Sequence, residues 1–184
     1  MFNETDLETQ FDMWLPMQDF VTEGTYFLRA DPNITLCEPS NNTQIITTSF
    51  YDGRDRSVAA VSSRGYNRKG AVKPDIASPG VNIFGPLPRI GNVYPSDEQE
   101  RLETARYGYR TDSSSAAAIT AGASILLAEW GLVKRNDINM DSVVVQKYLI
   151  RGANRAGRKF PNREWGYGTL DLYGVFDALR PRIN

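Results

Sequence analysis

The residues best suited to chemistry are three consecutive serines, Ser113, Ser114 and Ser115, which precede an alanine-rich segment. A serine hydroxyl becomes a good nucleophile when an adjacent base takes its proton, and that base is usually an imidazole. The serines stand before a predicted helix, where free backbone N–H groups and the helix dipole favour a developing negative charge. Serines in this position are also ordinary helix caps, and the local pattern alone favours that structural role.

The sequence contains no histidine among its 184 residues. Acyl transfer at one of the serines would therefore need a base from outside these residues; otherwise the chain does no acyl chemistry. Lys69 and Lys73 are the candidates for a Ser–Lys dyad, but both stand in polar turns where lysines are commonly solvated. No other base is found, and no cofactor or metal site is predicted.

The composition is that of a globular protein. Hydrophobic residues make up 41% of the chain and aromatic residues 11%, which is enough to form a buried core. The 21 basic and 22 acidic residues are interspersed and give a net charge of −1, so we expect no binding to nucleic acid or to an anionic membrane. No apolar run approaches the roughly 18 residues of a membrane-spanning helix, and none is predicted.

Helices and strands in alternation predict an α/β core around the serines. A helix of about fifteen residues follows Ser113, is apolar on nearly every face and ends at Gly131. Because every face is apolar, we expect this helix in the middle of a domain. A second helix begins after Asp141, a good N-cap, and ends at Gly152. A short third helix is predicted over 174–179.

Most of the predicted strands lie in the first third of the chain. They share β-branched or alternating apolar residues bounded by turn residues, and we expect them at 11–16, 24–28, 43–50 and 57–63. Residues 73–83 are rich in Gly and Pro and read as a loop, and residues 85–112 read as a long surface loop. The charged stretch 97–101 within it is interpreted as a solvated face.

Residues 112–122 resemble the nucleophile signature of the subtilisin-like serine proteases (subtilases), Gly-Thr-Ser-x-Ala-Ala, whose serine lies eight residues before the glycine of an Ala-Gly pair. Counting back from Gly122 selects Ser114 as the nucleophile, with Ser113 in place of Thr and Asp112 in place of Gly. Three other segments are similar to subtilase elements and follow in the family's order: Ser-Ser-Arg-Gly at 62–65, Lys-Pro-Asp-Ile-Ala-Ser-Pro-Gly at 73–80, and Gly-Tyr-Gly-Thr-Leu-Asp at 166–171.

Residues 116–122 carry Ala and Ile where secreted subtilisins have Pro and His, and in this they resemble the clostridial Csp germination proteases. The resemblance implies an α/β fold in which residues 49–184 form the carboxy-terminal part of a subtilisin-like parallel-sheet domain. Residues 1–48 would be the end of a β-rich, jelly-roll-like insert. It also implies a role in spore germination and an extracellular or spore-associated location.

The same resemblance implies a serine endopeptidase that cleaves protein or peptide substrates through an acyl-enzyme on Ser114. The family's catalytic Asp and His and its oxyanion Asn, with or without a prodomain, would then lie in upstream sequence of the same protease. No residue of this chain takes their place. By itself, a chain without these groups is expected to be inactive.

Asp112 and Ser113 depart from the family's Gly-Thr pair. A carboxylate beside the nucleophile slows the reaction if it faces the oxyanion and helps if it faces the imidazolium, and the sequence does not fix which. Because some Csp proteins have lost catalytic residues, the alternative is a pseudoprotease that acts as a binding or signalling scaffold. A third interpretation is an unrelated α/β binding module with a capped helix.

Overall fold

The computed structural model describes residues 11–16, 20–86 and 107–180. The strands in these ranges are β1 (Thr48–Tyr51), β2 (Ile76–Pro79), β3 (Ile83–Pro86) and β4 (Tyr107–Arg110). The helices are α1 (Ser113–Ala128), α2 (Ser142–Gly152) and α3 (Leu172–Leu179), and a π-helical turn, Glu129–Val133, continues α1.

Strand β2 is the centre of the described core. It pairs in parallel with β1 along its whole length. On its other side, Ala77 forms a parallel bridge with Thr169, and the N–H of Leu170 donates to the carbonyl of Ala77 at 2.8 Å. Ile76, Ala77 and Ser78 are completely buried. A strand covered on both faces and both edges is typical of the parallel sheet of an α/β protein.

The helices pack on this strand and on each other. Helix α1 lies against β1 and β2, and α2 packs on α3. The apolar core combines residues from β2, all three helices and the segments between them: Ile76, Leu127, Met140, Val145, Leu149, Ala153 and Val175. At Gly152, a Cβ atom would lie 2.3 Å from the Cα of Val175, so the contact between α2 and α3 requires glycine there.

Helix α1 buries one face only. Its buried residues are Ala116, Thr120, Ala123 and Leu127, which recur at helical spacing. The opposite face carries Ile125, of which 67% is exposed, and Leu126, of which 50% is exposed. The described residues therefore do not by themselves provide the surrounding domain that the sequence predicts for this helix. The helix is apolar all round, but these residues cover only one side of it.

The predicted stop at Gly131 is also wrong. The backbone continues as the π-helical turn to Val133, and Gly131 is buried inside it. A Cβ atom at Gly131 would lie 2.4 Å from the Cε of Met140. The glycine therefore permits close packing here rather than ending the helix.

One helical stretch meets the length and composition of a membrane span. Ser113–Val133 is 21 residues long with a mean hydropathy of 1.6, and 28% of its apolar window is buried. The sequence predicts no such stretch on the basis of uninterrupted apolar runs, because small polar residues interrupt this helix. The core helix of a globular domain has the same length and composition, so these properties are weak support for a membrane span.

Two of the predicted strands are absent from the described residues, and two are shorter than expected. Residues 11–16 and 24–28 form no strand, and within 43–50 strand β1 begins only at Thr48. Residues 57–63 contribute a single bridge, from Val58 to Tyr51, before a turn in which Ser62 donates to Ala59 at 2.9 Å. These runs have strand-like composition, but the part of the chain that the structure describes offers them no neighbouring strand to complete a hydrogen-bond ladder.

The two predicted loops contain strands. Strand β2 lies inside 73–83, and β3 pairs with β4, at the end of 85–112, in antiparallel register. Pro74 precedes β2 and Pro79 ends it, so neither removes an inner hydrogen bond of the strand. The charged stretch 97–101 lies outside the described residues.

Helix α2 begins and ends at the predicted residues, and α3 begins at Leu172, slightly before the predicted start.

Candidate active site

Ser114 is the second residue of α1 and its side chain is exposed. Among the described residues, its hydroxyl has no hydrogen-bond partner, and no base lies against it. The N–H groups of a first helical turn have no partner within the helix and carry the positive end of its dipole. Ser114 therefore presents an accessible hydroxyl on the first turn of α1, where the helix dipole favours negative charge.

Asp112 caps this helix. Its backbone is extended, with φ −163° and ψ 163°, a conformation that any residue adopts, so aspartate in place of glycine brings no backbone strain here. Its Oδ1 accepts the N–H of Ser115 at 2.5 Å, and its Oδ2 lies 4.0 Å from Nη1 of Arg110. Hydrogen bonds from Ser115 lower the pKa of Asp112, and the charge of Arg110 acts in the same direction.

Gly80 fixes the position of residues 112–122, the candidate nucleophile segment. Its N–H donates to the carbonyl of Tyr51 at 3.0 Å, and its own carbonyl accepts the N–H of Asp112 at 3.0 Å. A Cβ atom on Gly80 would lie 2.7 Å from the Cβ of Phe50 and 2.8 Å from the carbonyl oxygen of Asp112. This close approach holds the start of α1 at the carboxyl ends of β1 and β2, where α/β sheets commonly bind ligands.

A buried pair of hydroxyl groups, which the sequence analysis missed, fixes α1 on β2. The Oγ of Ser78 and the Oγ1 of Thr120 are 2.6 Å apart, and Thr120 also donates to the carbonyl of Ala116 at 3.0 Å. Ser78 belongs to the Lys-Pro-Asp element and Thr120 to the nucleophile segment. The only signal for this pair in the sequence is a hydroxyl residue within each of two otherwise apolar runs.

The other family-like segments pack around residues 73–80. The Oγ of Ser62 accepts the N–H of Phe50 at 3.2 Å. A Cβ atom on Gly65 would lie 1.6 Å from the carbonyl oxygen of Lys73. Gly166, whose φ is +56°, would place a Cβ atom 2.2 Å from the carbonyl oxygen of Pro74. These segments therefore support the segment that carries Ser114, the candidate nucleophile, rather than supplying reactive groups.

Lys73 is buried, and its predicted solvated position is wrong. Its side chain is 1% exposed, and its Nζ lies 2.7 Å from Oδ2 of Asp75. The same Nζ donates to the carbonyl of Ile45 at 2.5 Å. Both contacts hold the ammonium group in place, so Lys73 does not act as the base of a Ser–Lys dyad. Lys69 is exposed, as the sequence analysis expected.

The carboxylate of Asp75 joins three parts of the chain. Besides Lys73, it accepts the N–H of Thr47 at 2.7 Å and Nε2 of Gln146 at 2.8 Å. Burial raises the pKa of Asp75, while the hydrogen bond from Lys73 acts in the opposite direction. We regard the pair as ionised, because Lys73, Thr47 and Gln146 all donate to the carboxylate. Its role is to tie β1, β2 and α2 together.

The described residues contain no cluster of three or more His, Cys, Asp or Glu side chains that could hold a metal ion. Their arrangement offers an exposed serine hydroxyl as a candidate nucleophile, unpaired N–H donors and a rigid support. It does not include a base for Ser114.

The Peptidase_S8 family model, which describes the subtilase family, matches residues 21–168. This chain belongs to the subtilase family. The match includes all of α1 and its π-helical turn, which favours a core helix of the subtilase domain over a membrane span.

Two curated proteases are similar to this subtilase. It is 30% identical over 144 residues to the serine protease AprX of Bacillus subtilis (strain 168), an alignment that covers 74% of the chain and 30% of AprX. It is 25% identical over 157 residues to the subtilisin-like protease SBT4.7 of Arabidopsis thaliana, covering 84% of the chain and 21% of that protein. The chain therefore spans less than a third of the length of these relatives.

The structure is similar to that of the Clostridium perfringens CspB protease, with a TM-score of 0.71 and 28% sequence identity. The similarity covers 86% of this chain and 32% of CspB. Fervidolysin from Fervidobacterium pennivorans, a keratinolytic enzyme related to subtilisin, shares the fold at a TM-score of 0.57 and 21% identity, over 76% of this chain and 20% of fervidolysin. The chain thus has a subtilisin-like α/β fold with a parallel sheet.

Proposed function

We propose that this subtilase is part of a serine endopeptidase in which Ser114 is the nucleophile. The observation that carries the proposal is the position of Ser114, exposed in the first turn of α1, beside the carboxyl ends of β1 and β2. Its spacing to Gly122 is that of the family signature. The similarity to AprX and to the CspB protease, both named as proteases, supports a hydrolytic rather than a purely structural role.

In the proposed reaction, Oγ of Ser114 attacks the carbonyl carbon of a peptide bond and its proton passes to a histidine. The tetrahedral oxyanion forms next to the first turn of α1, where the N–H of Ser114 has no partner within the helix. The C–N bond then breaks, and the histidine returns the proton to the leaving amine. Water hydrolyses the resulting acyl-enzyme.

The histidine, its aspartate and an oxyanion asparagine come from other parts of the same protease in this proposal. Residues 49–184 are then the carboxy-terminal part of the catalytic domain, and residues 1–48 the end of a jelly-roll-like insert. Upstream segments would cover the exposed face of α1 that carries Ile125 and Leu126. The resemblance of residues 116–122 to the Csp proteases is the basis for also proposing spore germination as the setting, at an extracellular or spore-associated location.

The test is hydrolysis of a fluorogenic peptide library by the full-length protease and by its variants. We expect Ser114→Ala to lose at least about a thousandfold in kcat/KM. Ser113→Ala is the matched variant. It removes the hydroxyl of an exposed neighbouring serine and should retain most of the activity. The 184-residue chain alone should show none. Equal activity in the wild type and Ser114→Ala would contradict the proposal.

The alternative is a Csp-like pseudoprotease that serves as a binding or signalling scaffold. Asp112 favours it, because its carboxylate caps the helix turn at which the oxyanion would form. Two negative charges at one helix terminus repel each other. A well-folded full-length protein that binds peptides without cleaving them would support this alternative.

A further inference from the structure

The cavity behind β1 has no role in the proposed reaction. Its volume is about 160 Å³, and its walls come from the end of β1, the turn after it, and the segment between α2 and α3. The lining residues that matter here are Tyr51, Arg56, Arg158, Trp165 and Asp171. A cavity of this size holds a small polar group together with a few atoms of the molecule to which that group is attached.

Trp165 and Arg158 form a preorganised wall. Trp165 is 2% exposed, and its ring lies 5.2 Å from that of Tyr51. The guanidinium carbon of Arg158 lies 3.9 Å above the Trp165 ring, and Nη2 of Arg158 donates to the carbonyl of Arg56 at 2.6 Å. Stacking and one hydrogen bond fix the plane of the guanidinium, and its remaining N–H groups are available to a ligand.

The Arg56 side chain makes no ion pair or hydrogen bond within the described residues. Its φ is +59°, a left-handed conformation that glycine or asparagine adopts more readily than arginine. The turn itself therefore gives no reason for arginine at this position. Asp171, the acidic residue of the lining, uses its Oδ1 to accept the N–H of Gly174 at 2.8 Å and cap α3.

The charge around the cavity also departs from the even distribution expected from the composition. Residues 147–163 contain six basic residues and no acidic residue, although the whole chain has a net charge of −1. Arg158 belongs to this segment, and both Arg158 and Arg56 line the cavity. These basic residues favour an anion, while Asp171 in the lining and Asp52 and Asp55 in the turn of Arg56 oppose it.

We propose that this cavity binds an oxyanion group, a carboxylate or a phosphate, between the guanidinium groups of Arg56 and Arg158. A planar fork of N–H donors matches two oxygens of such a group. The proposal does not rest on catalysis by Ser114. The carbonyl of Tyr51 accepts the N–H of Gly80, so the site lies on the same strand end that supports the nucleophile segment.

The experiment measures the melting temperature of the full-length protein during titration with inorganic phosphate and, separately, with succinate, at constant ionic strength set by sodium chloride. We expect a saturable rise with at least one anion. A response to phosphate alone assigns a phosphoryl ligand, and a response to succinate assigns a carboxylate. No saturable response to either anion would overturn the proposal.

Arg56→Gln should weaken the anion affinity about tenfold or more, because it removes a charge-assisted hydrogen bond. Arg54→Gln is the matched control, since Arg54 lies exposed in the same turn and does not line the cavity. Equal affinities of these two variants would overturn the proposal.

A second pair of variants leaves the turn at Arg56 unchanged, so misfolding of that turn does not affect their result. Ala156 lines the cavity, so Ala156→Glu should place a carboxylate inside it, raise the melting temperature without added anion and abolish the response. Ala156→Gln adds the same bulk without charge and should gain no such stability. A full anion response in Ala156→Glu would contradict the assignment.

Discussion

Asp112 Oδ1 accepts the backbone N–H of Ser115 at 2.5 Å, which places a carboxylate on the same helical turn as Ser114. The sequence left open whether this carboxylate faces the oxyanion or the imidazolium. In the structure it is bound to the helix terminus, with Arg110 at 4.0 Å on its other oxygen. The negative charge of the carboxylate thus offsets part of the positive potential at the helix N-terminus that would stabilise an oxyanion.

Asp112→Asn should increase the kcat of the full-length protease. Asparagine is as good an N-cap as aspartate but carries no charge, so the variant separates the electrostatic effect from capping. We expect a gain of about tenfold or less, because the carboxylate is partly exposed and solvent screens it. The measurement is kcat with a fixed peptide substrate, and a decrease in kcat would show that the charge assists the reaction.

Stability at low pH should depend on the same carboxylate. Because the pKa of Asp112 is lower in the fold than in the unfolded chain, its ionised form stabilises the fold above the unfolded pKa, near 3.8. This contribution disappears as the pH falls through the lowered pKa. The melting temperature of Asp112→Ala should therefore lie below that of the wild type at pH 6 and approach it as the pH falls through and below the lowered pKa. A difference that is constant with pH would contradict this assignment.

Gly80→Ala should lower both stability and activity. The added Cβ would lie 2.7 Å from the Cβ of Phe50 and 2.8 Å from the carbonyl oxygen of Asp112, so the start of α1 must shift. We expect a loss of about 1–3 kcal/mol in the free energy of unfolding, together with a reduced kcat.

The control for Gly80→Ala is Gly85→Ala. Gly85 lies in β3, and its Cβ would meet nothing within 4 Å. This variant should change stability by less than about 1 kcal/mol and leave kcat unchanged. If both alanine variants behave alike, the close approach at Gly80 does not position the nucleophile.

Lys73→Met should destabilise the fold by about 3–5 kcal/mol, because it leaves the buried carboxylate of Asp75 without its partner. Lys73→Met combined with Asp75→Asn should lose less than the sum of the single variants. Chemical denaturation measures both. If the losses in unfolding free energy of the two single variants add up to the loss of the double variant, the two side chains are not coupled.

The pH dependence of Lys73→Met follows from the pKa of Asp75, which burial raises above its unfolded value. Without the lysine, the protonated carboxyl is favoured in the fold. Its stabilising contribution is complete below the unfolded pKa and is lost as the pH rises through the folded pKa. The deficit of the variant relative to the wild type should therefore shrink as the pH is lowered toward 4.

The sequence predicted the parts of the site that depend on local signals. Asp141 caps α2 where expected, and Ser114, which the spacing to Gly122 selects as the candidate nucleophile, lies exposed in the first turn of α1. Burial of Lys73 was missed, because its partner Asp75 and the carbonyl of Ile45 come together only through tertiary folding. The buried strand β2 was missed for a similar reason. Its proline-rich flanks resemble a loop, and its neighbours, β1 and residues near Thr169, are distant in sequence.

The central claim is that Ser114 is the nucleophile, and labelling with a fluorophosphonate probe tests it most directly. The full-length protease is labelled, digested and sequenced by tandem mass spectrometry, with Ser113→Ala and Ser115→Ala as matched variants. The account predicts one phosphonylated residue, Ser114, in the wild type and in both matched variants, and no adduct in Ser114→Ala. An adduct on Ser113 or Ser115, or undiminished labelling of Ser114→Ala, would contradict it.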